Sequence, residues 1–198
     1  MEDNRGFYTI IQASFSWQKR GIMQLQFTNA ALHKQQVKRL YTASFPKAEQ
    51  APLFYLYYKA KRGVAQFSAV MDGEKFVGLT YAIPFESSVL LMFLAVDDAA
   101  RDQGYGSQIL AALRKRYPHK RIFLTIEVVD QSAANYKQRL RRKAFYQRNQ
   151  FESAGFTVRE GGVLYEVLSC GGAIKKEEYR KNMEKLFGRF LYSLLARA

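Results

Sequence analysis

Two glycines in the run Arg101-Asp102-Gln103-Gly104-Tyr105-Gly106-Ser107 form the first group in this chain with the makings of a site. An apolar run, Val89–Val96, precedes them, and an amphipathic segment ending at Tyr117 follows. That order predicts a buried strand, a tight turn and a helix whose first N–H groups have no partner in the helix. Those donors and the positive end of the helix dipole favour an anion, and glycines let it approach the main chain. The other reading is an ordinary β-α turn whose glycines serve helix packing. Glu127 is the second candidate, because it interrupts the apolar strand Arg121–Val129. A carboxylate there is either desolvated, with its pKa raised so that it can take a proton, or ion-paired with a nearby arginine. Cys170, the one cysteine, falls at a strand end and reads as structural. His33 and His119 lie in polar segments without metal-ligand spacing, so no metal site is expected.

These residues need elements to hold them. Residues 1–22 read as an N-terminal extension, either upstream of a true start at Met23 or packed on the domain as an edge strand or helix. From Met23 a strand leads to a helix over Ala30–Ser44, capped by Asn29 and stopped by Pro46. A second, aromatic-rich helix follows Pro52 and closes at Gly63. Val64–Met71, Phe76–Phe85 and Val89–Val96 read as an antiparallel meander, its first turn signalled by Asp72-Gly73. The glycine loop and its helix come next, with Ile109, Leu110, Leu113 and Tyr117 on one face and Pro118 as the stop. Arg121–Val129 then pairs parallel with its predecessor after the helical crossover. A helix over Gln131–Asn149 and a hairpin, Phe151–Glu160 with Val163–Ser169, complete a domain spanning 23–170. The order β-α-α-β-β-β-α-β-α-β-β makes an α/β (α+β) domain with a mixed, mostly antiparallel sheet of six to seven strands. Residues 171–198 add a C-terminal amphipathic helix with Tyr179, Met183, Leu186, Phe187, Phe190, Leu191, Leu194 and Leu195 on one side. Docking on the core suits it first, a dimer contact second and a membrane surface last.

Composition narrows the partners. The 198 residues carry 48% hydrophobic and 15% aromatic side chains, which excludes a disordered chain. The net charge is +14, and residues 114–148 hold eleven Lys or Arg against only Glu127 and Asp130. Such a field attracts polyanions: nucleic acid, a membrane surface or a phosphorylated small molecule. No apolar run approaches the roughly 20 residues of a membrane span. The first residues carry Glu2 and Asp3 and a short apolar island, Phe7–Ile11, which fits no secretory signal. With one cysteine and no disulfide partner, the chain is expected in the cytoplasm.

The element order and the loop Arg101-Asp102-Gln103-Gly104-Tyr105-Gly106 resemble the GCN5-related N-acetyltransferase (GNAT) family, whose turn after the fourth strand reads Arg/Gln-x-x-Gly-x-Gly/Ala. Phe145-Tyr146-Gln147-Arg148-Asn149-Gln150-Phe151 is similar to the family's helix end, Tyr, three residues, then Gly-Phe, with Gln150 in the glycine's place. The turn after that helix is therefore expected to differ. The resemblance covers roughly Met23 to Cys170 and implies the acyl-CoA N-acyltransferase fold, with helices on both sheet faces.

The resemblance also implies chemistry. Acetyl-CoA would be the co-substrate, with no metal, and an amine of unknown identity the acceptor, in a direct ternary-complex transfer. Arg101, Asp102, Gln103, Gly104, Tyr105, Gly106 and Ser107 would hold the diphosphate. Phe93, Leu94, Ala95 and Val96 would pair with the pantetheine arm, because the fourth and fifth strands splay and leave backbone groups free. Tyr146 would be the acid for the departing thiolate, or else a core tyrosine with a satisfied hydroxyl. Glu127 is the base candidate, with water as the other route. Acceptor contacts would come from Glu49, Phe54, Tyr55, Tyr57, Tyr58 and the last hairpin. Two readings from other classes stand beside this one. A non-catalytic acyl-CoA-binding module would keep the loop. A basic nucleic-acid binder, the less favoured partner, would use Lys137–Arg148 with its interleaved aromatics.

Overall fold

Apolar side chains on both faces of the central strands demand cover on both sides, and the helices supply it. The computed structural model describes residues 25–189 and Tyr192. The expected N-terminal extension, Met23, and Phe190, Leu191, Leu194 and Leu195 lie outside the described residues. The chain runs β1 (Leu25–Asn29), α1 (Lys34–Ser44), α2 (Leu53–Lys61), β2 (Gln66–Asp72), β3 (Lys75–Pro84), β4 (Ser88–Val96), α3 (Tyr105–Arg116), β5 (Arg121–Glu127), α4 (Tyr136–Arg148), β6 (Glu152–Glu160), β7 (Val163–Cys170) and α5 (Lys176–Phe187). The seven strands form one sheet in the order β1-β2-β3-β4-β5-β7-β6. Every neighbouring pair is antiparallel except β4 with β5. This is the mixed, mostly antiparallel sheet that the element order implied.

Two apolar layers sandwich the sheet. On one face Val37, Leu40 and Tyr41 of α1, Leu56 of α2, and Tyr179 and Met183 of α5 pack over Phe67, Phe93 and Phe123. On the other, Tyr105, Ile109, Leu110 and Leu113 of α3 cover Val77, Leu91 and Leu124. Tyr179 and Met183 place α5 on the core, the first of the three roles its stripe suggested. Arg121 ties it to β5 by an ion pair with Glu178 at 2.9 Å, and Gly188, with φ 81°, ends it.

Local polar chemistry overrides the periodic pattern at two helix starts. The first helix does not run from Ala30. The Asn29 side chain caps a single 3-10 turn, Ala30–Leu32, by accepting from the Ala31 N–H, and His33 breaks the helix before Lys34. The helix expected from Gln131 begins at Tyr136. There the Asp130 carboxylate accepts from both the N–H and the hydroxyl of Ser132 and holds residues 131–135 in turns. After α4 the expected departure at Gln150 is not found. Gln150 takes the left-handed φ of 67° that a glycine would take, and Phe151 N–H donates to the Tyr146 carbonyl at 3.0 Å. Arg114 binds the Asn149 carbonyl at 2.9 Å, and the Asn149 amide binds the Phe145 carbonyl at 2.8 Å. Those bonds, the first tertiary and the second local, offset the strain of a side chain in that conformation.

One irregularity opens the sheet. β4 and β5 pair only through Ser88–Arg121, Val89–Ile122 and Leu90–Phe123. Immediately beyond, the β3–β4 register jumps, with Tyr81 opposite Phe93 and Ala82 opposite Leu91, so Met92 is a bulge residue. A bulge bends its strand and increases its twist. Met92 and Phe93 therefore both pack on the α1 face, and Leu94 and Val96 turn to the α3 face. From Leu91 to Val96 the edge of β4 toward β5 has no strand partner among the described residues.

Candidate functional site

The open edge of β4 faces the glycine loop across a cleft of about 430 Å³, within the range of small-molecule sites. Leu94 and Val96 line it from β4. Arg101, Asp102, Gly104, Tyr105, Gly106 and Ser107 line it from the loop and the start of α3, and Arg142, Phe145 and Tyr146 from α4. Nine of the residues expected to hold a cofactor or act on it thus meet in one cleft. Phe93 and Ala95 do not line it. Phe93 belongs to an aromatic cluster with Tyr41 at 5.1 Å and Phe45 at 4.8 Å, and the Ala95 side chain is buried on the same face. Their backbone alone can serve a ligand. Gln103 also stays out of the lining, and its side-chain amide donates to the Ala99 carbonyl at 3.0 Å.

The loop suits an anion. Asp102 and Gly104 both have positive φ, 59° and 81°, the left-handed backbone state found in turns whose successive N–H groups form an anion-binding concavity. α3 starts at Tyr105, and the N–H groups of its first turn have no carbonyl partner within the helix. Gly106 has two constraints at once. A Cβ there would sit 3.0 Å from Phe145 Cζ, so the close passage of α3 past α4 needs the glycine as well as any ligand does. Arg101 is ion-paired with Asp98 at 2.7 Å on the surface.

Tyr146 is half-buried in the wall of this cleft, with its ring edge-on to Phe145 and Phe151 at 5.2 and 5.5 Å. Burial pushes its phenol up to about 12, and the Arg142 guanidinium partly opposes that. The hydroxyl therefore keeps its proton at any physiological pH and is available as a donor.

Glu127 ends β5, and its carboxylate is engaged. Arg139 reaches one oxygen at 2.7 Å, and the other is 3.2 Å from Asn135 Nδ2 and 3.6 Å from Arg142. Of the two readings of this residue, the ion pair is the arrangement seen. Glu49, an acceptor contact in the family reading, lies close enough to Glu127, Arg139 and Arg142 for their charges to act on it. Burial first, then the Glu127 charge, raise its pKa against the two arginines. Tyr165, which sequence reasoning missed, is pushed up to about 12 by burial and then by Glu49, Glu127 and Glu160. Nothing in a strand's own pattern marks such a residue. Arg142 was one of eleven cations in a basic stretch. Its place four residues before Tyr146, hence on the same helix face, is the signal that could have separated it.

Residues 63–153 match the family described as an acetyltransferase (GNAT) domain. YjbC of Bacillus subtilis (strain 168), assigned there as an acetyltransferase, is 39% identical over 70 residues, 35% of this chain and 34% of that protein. The alignment thus spans about a third of that relative's length. Among solved structures, a protein from Bacteroides thetaiotaomicron assigned to the GNAT acetyltransferases superposes with a TM-score of 0.68 at 21% identity. That match covers 85% of this chain and 98% of the other. An aminoglycoside 6'-N-acetyltransferase complexed with coenzyme A superposes at 0.58 and 14% identity over 74% of this chain and 96% of its own. At such identities the likeness is one of fold.

Proposed function

We propose that this chain, whose residues 63–153 match a GNAT acetyltransferase domain, moves an acetyl group from acetyl-CoA to a primary amine in a direct ternary complex. The observation that carries this reading is the free edge of β4 beyond Leu90, set across one cleft from the glycine loop and Tyr146. A diphosphate suits the loop, and a peptide-like arm suits an unpaired strand edge. Bound there, acetyl-CoA supplies an activated acyl carbon with a thiolate leaving group. The residues from Arg101 to Ser107 hold the phosphates. The backbone of Phe93–Val96 aligns the arm, and a main-chain N–H near Ala95 or Val96 polarises the thioester carbonyl. The amine nitrogen bonds to the acyl carbon as the carbon–sulfur bond breaks, and sulfur takes the Tyr146 proton. The engagement of Glu127 by Arg139 and Asn135 favours water over Glu127 as acceptor of the amine's proton.

The acceptor meets the domain near Glu49 and Tyr165, whose charges and phenol act on one another and on Glu127, and an amine with apolar substituents suits Phe54 and Tyr58 of α2, which are exposed. Two α4 cations are already paired at 2.7 Å, Arg139 with Glu127 and Lys143 with Glu166, which weighs against a nucleic-acid surface on this helix. We place the protein in the cytoplasm, which suits its one buried thiol, Cys170. No helix among the described residues is long and apolar enough to cross a membrane.

Calorimetric and thermal-shift titration with acetyl-CoA tests the reading. Binding with stabilisation of about 3 kcal/mol at a hundredfold excess over Kd is expected. A thiol-release screen over amines then identifies the acceptor. No stabilisation at any concentration would remove the proposal, and binding without release across the amines would favour a non-catalytic module.

A further inference from the structure

The Arg142 guanidinium is a cation in the cleft that the steps above leave idle. It stands one helical turn before Tyr146 on α4, lines the same cleft, and is in contact with Glu127 only at 3.6 Å. Arg139 takes the near oxygen of that carboxylate at 2.7 Å, so Glu127 is committed to Arg139 and only steadies Arg142. A contact of that length is longer than a charge-assisted hydrogen bond, and a guanidinium has five donors to place. The Arg142 side chain is 35% exposed against 18% for Arg139, and of the two only Arg142 lines this cleft. The other charged groups around it are Glu49, from the turn between α1 and α2, and Arg101 and Asp102 across the cleft.

We propose that Arg142 is a catalytic residue of the transfer, its guanidinium taking up the negative charge that gathers on the coenzyme A sulfur as the carbon–sulfur bond breaks. The inference rests on the acetyltransferase reading. The electron pair of that bond goes to sulfur, and the acyl carbon keeps its valence through the new bond to nitrogen. Sulfur is then protonated by Tyr146, and the tyrosinate is refilled by the proton released from the amine through water. A buried phenol is a weak acid for a thiolate, so the charge on sulfur needs a partner until the proton arrives. An arginine stays cationic throughout, and one placed beside both groups eases the charge on sulfur and on the tyrosinate that replaces it. The direction in which Arg142 moves the Tyr146 phenol, downward against burial, agrees with that position.

The test reads the thiol itself. The apparent pKa of the coenzyme A thiol in its binary complex is measured from thiolate absorbance, with the desulfo-coenzyme A complex as reference. Arg142→Met is expected to raise it by about one unit, and Arg142→Lys to leave most of the effect, since an adjacent opposite charge shifts a pKa by about that much. Arg142→Gln carries the comparison if the methionine variant does not fold. Coenzyme A affinity is expected to stay within about threefold and kcat to fall about tenfold, with KM for acetyl-CoA unchanged. An unshifted thiol in a variant that still binds coenzyme A overturns the role of Arg142 and leaves the acetyltransferase reading standing, as does a loss confined to affinity. Failure of the unaltered protein to bind coenzyme A removes both.

Discussion

Glu127 closes β5 by accepting a 2.7 Å hydrogen bond from Arg139, a pair whose side chains are only 13% and 18% exposed. The same guanidinium donates to the Val128 carbonyl at 3.0 Å and to the Asn135 side chain at 2.7 Å, so one arginine fastens α4 to the end of β5. Removing Arg139 leaves the carboxylate with Asn135 and a distant Arg142, and Arg139→Met is expected to cost about 3 kcal/mol in urea denaturation. Glu127→Gln keeps an acceptor oxygen and is expected to cost about half as much. Its turnover is expected within about tenfold of the unaltered protein, because water takes the amine's proton; a loss beyond about a hundredfold would make Glu127 the base.

Tyr146→Phe deletes a single oxygen from the cleft wall. Acetyl-CoA affinity is expected to be unchanged and kcat to fall about tenfold to a hundredfold, the usual size of a lost general acid. Equal kcat in the two proteins, measured by thiol release, would return Tyr146 to a packing role.

Gly106→Ala tests whether the loop glycine serves packing, ligand approach or both. Its Cβ would crowd the Phe145 ring at 3.0 Å, with an expected loss of about 1–3 kcal/mol in stability. Gly106→Ala with Phe145→Leu is expected to recover most of that stability. Coenzyme A affinity is expected to stay reduced, because the methyl group still stands where the main chain meets the ligand. Recovery of both in calorimetry would assign Gly106 to packing alone.

Gln150 occupies a left-handed position with φ 67°. Gln150→Gly removes the Cβ strain and is expected to raise the denaturation midpoint by an amount equivalent to about 1 kcal/mol, less the entropy a glycine adds to the unfolded chain. A lower midpoint would show that the glutamine side chain contributes a contact of its own.

Burial holds the phenols of Tyr41, Tyr146 and Tyr165 up at about 12, above the ordinary value of 10 that they regain on unfolding. The folded protein therefore keeps protons that the unfolded chain loses. The stability they contribute is complete below pH 10 and is lost as pH rises through about 12. Denaturation midpoints measured from pH 8 upward are expected to hold to about pH 10 and then fall. The fall is expected to be smaller in Tyr41→Phe, whose hydroxyl donates to the Ala51 carbonyl at 3.1 Å.

The type and order of the elements and the position of the glycine loop follow from local signals. Apolar period, Asp72-Gly73, Pro46, Pro118 and the paired glycines are local signals, and each works through backbone preferences that need no distant partner. Tertiary structure decided the rest. The Met92 bulge that frees the β4 edge arises from the pairing of β4 with β3 across a twisted sheet, and no residue type at 92 announces it. The same pairing turns Phe93 into the core and Leu94 into the cleft. Glu127 read equally well as a desolvated base or an ion pair, because the choice depends on which α4 arginine reaches it, and that is set by where the Asp130–Ser132 turn lets the helix begin. Gln150 holds a glycine's conformation in a turn that Arg114, reaching from α3, braces at the Asn149 carbonyl. Charges and strained turns are resolved by neighbours distant in sequence, and the periodicity of a single segment does not contain them.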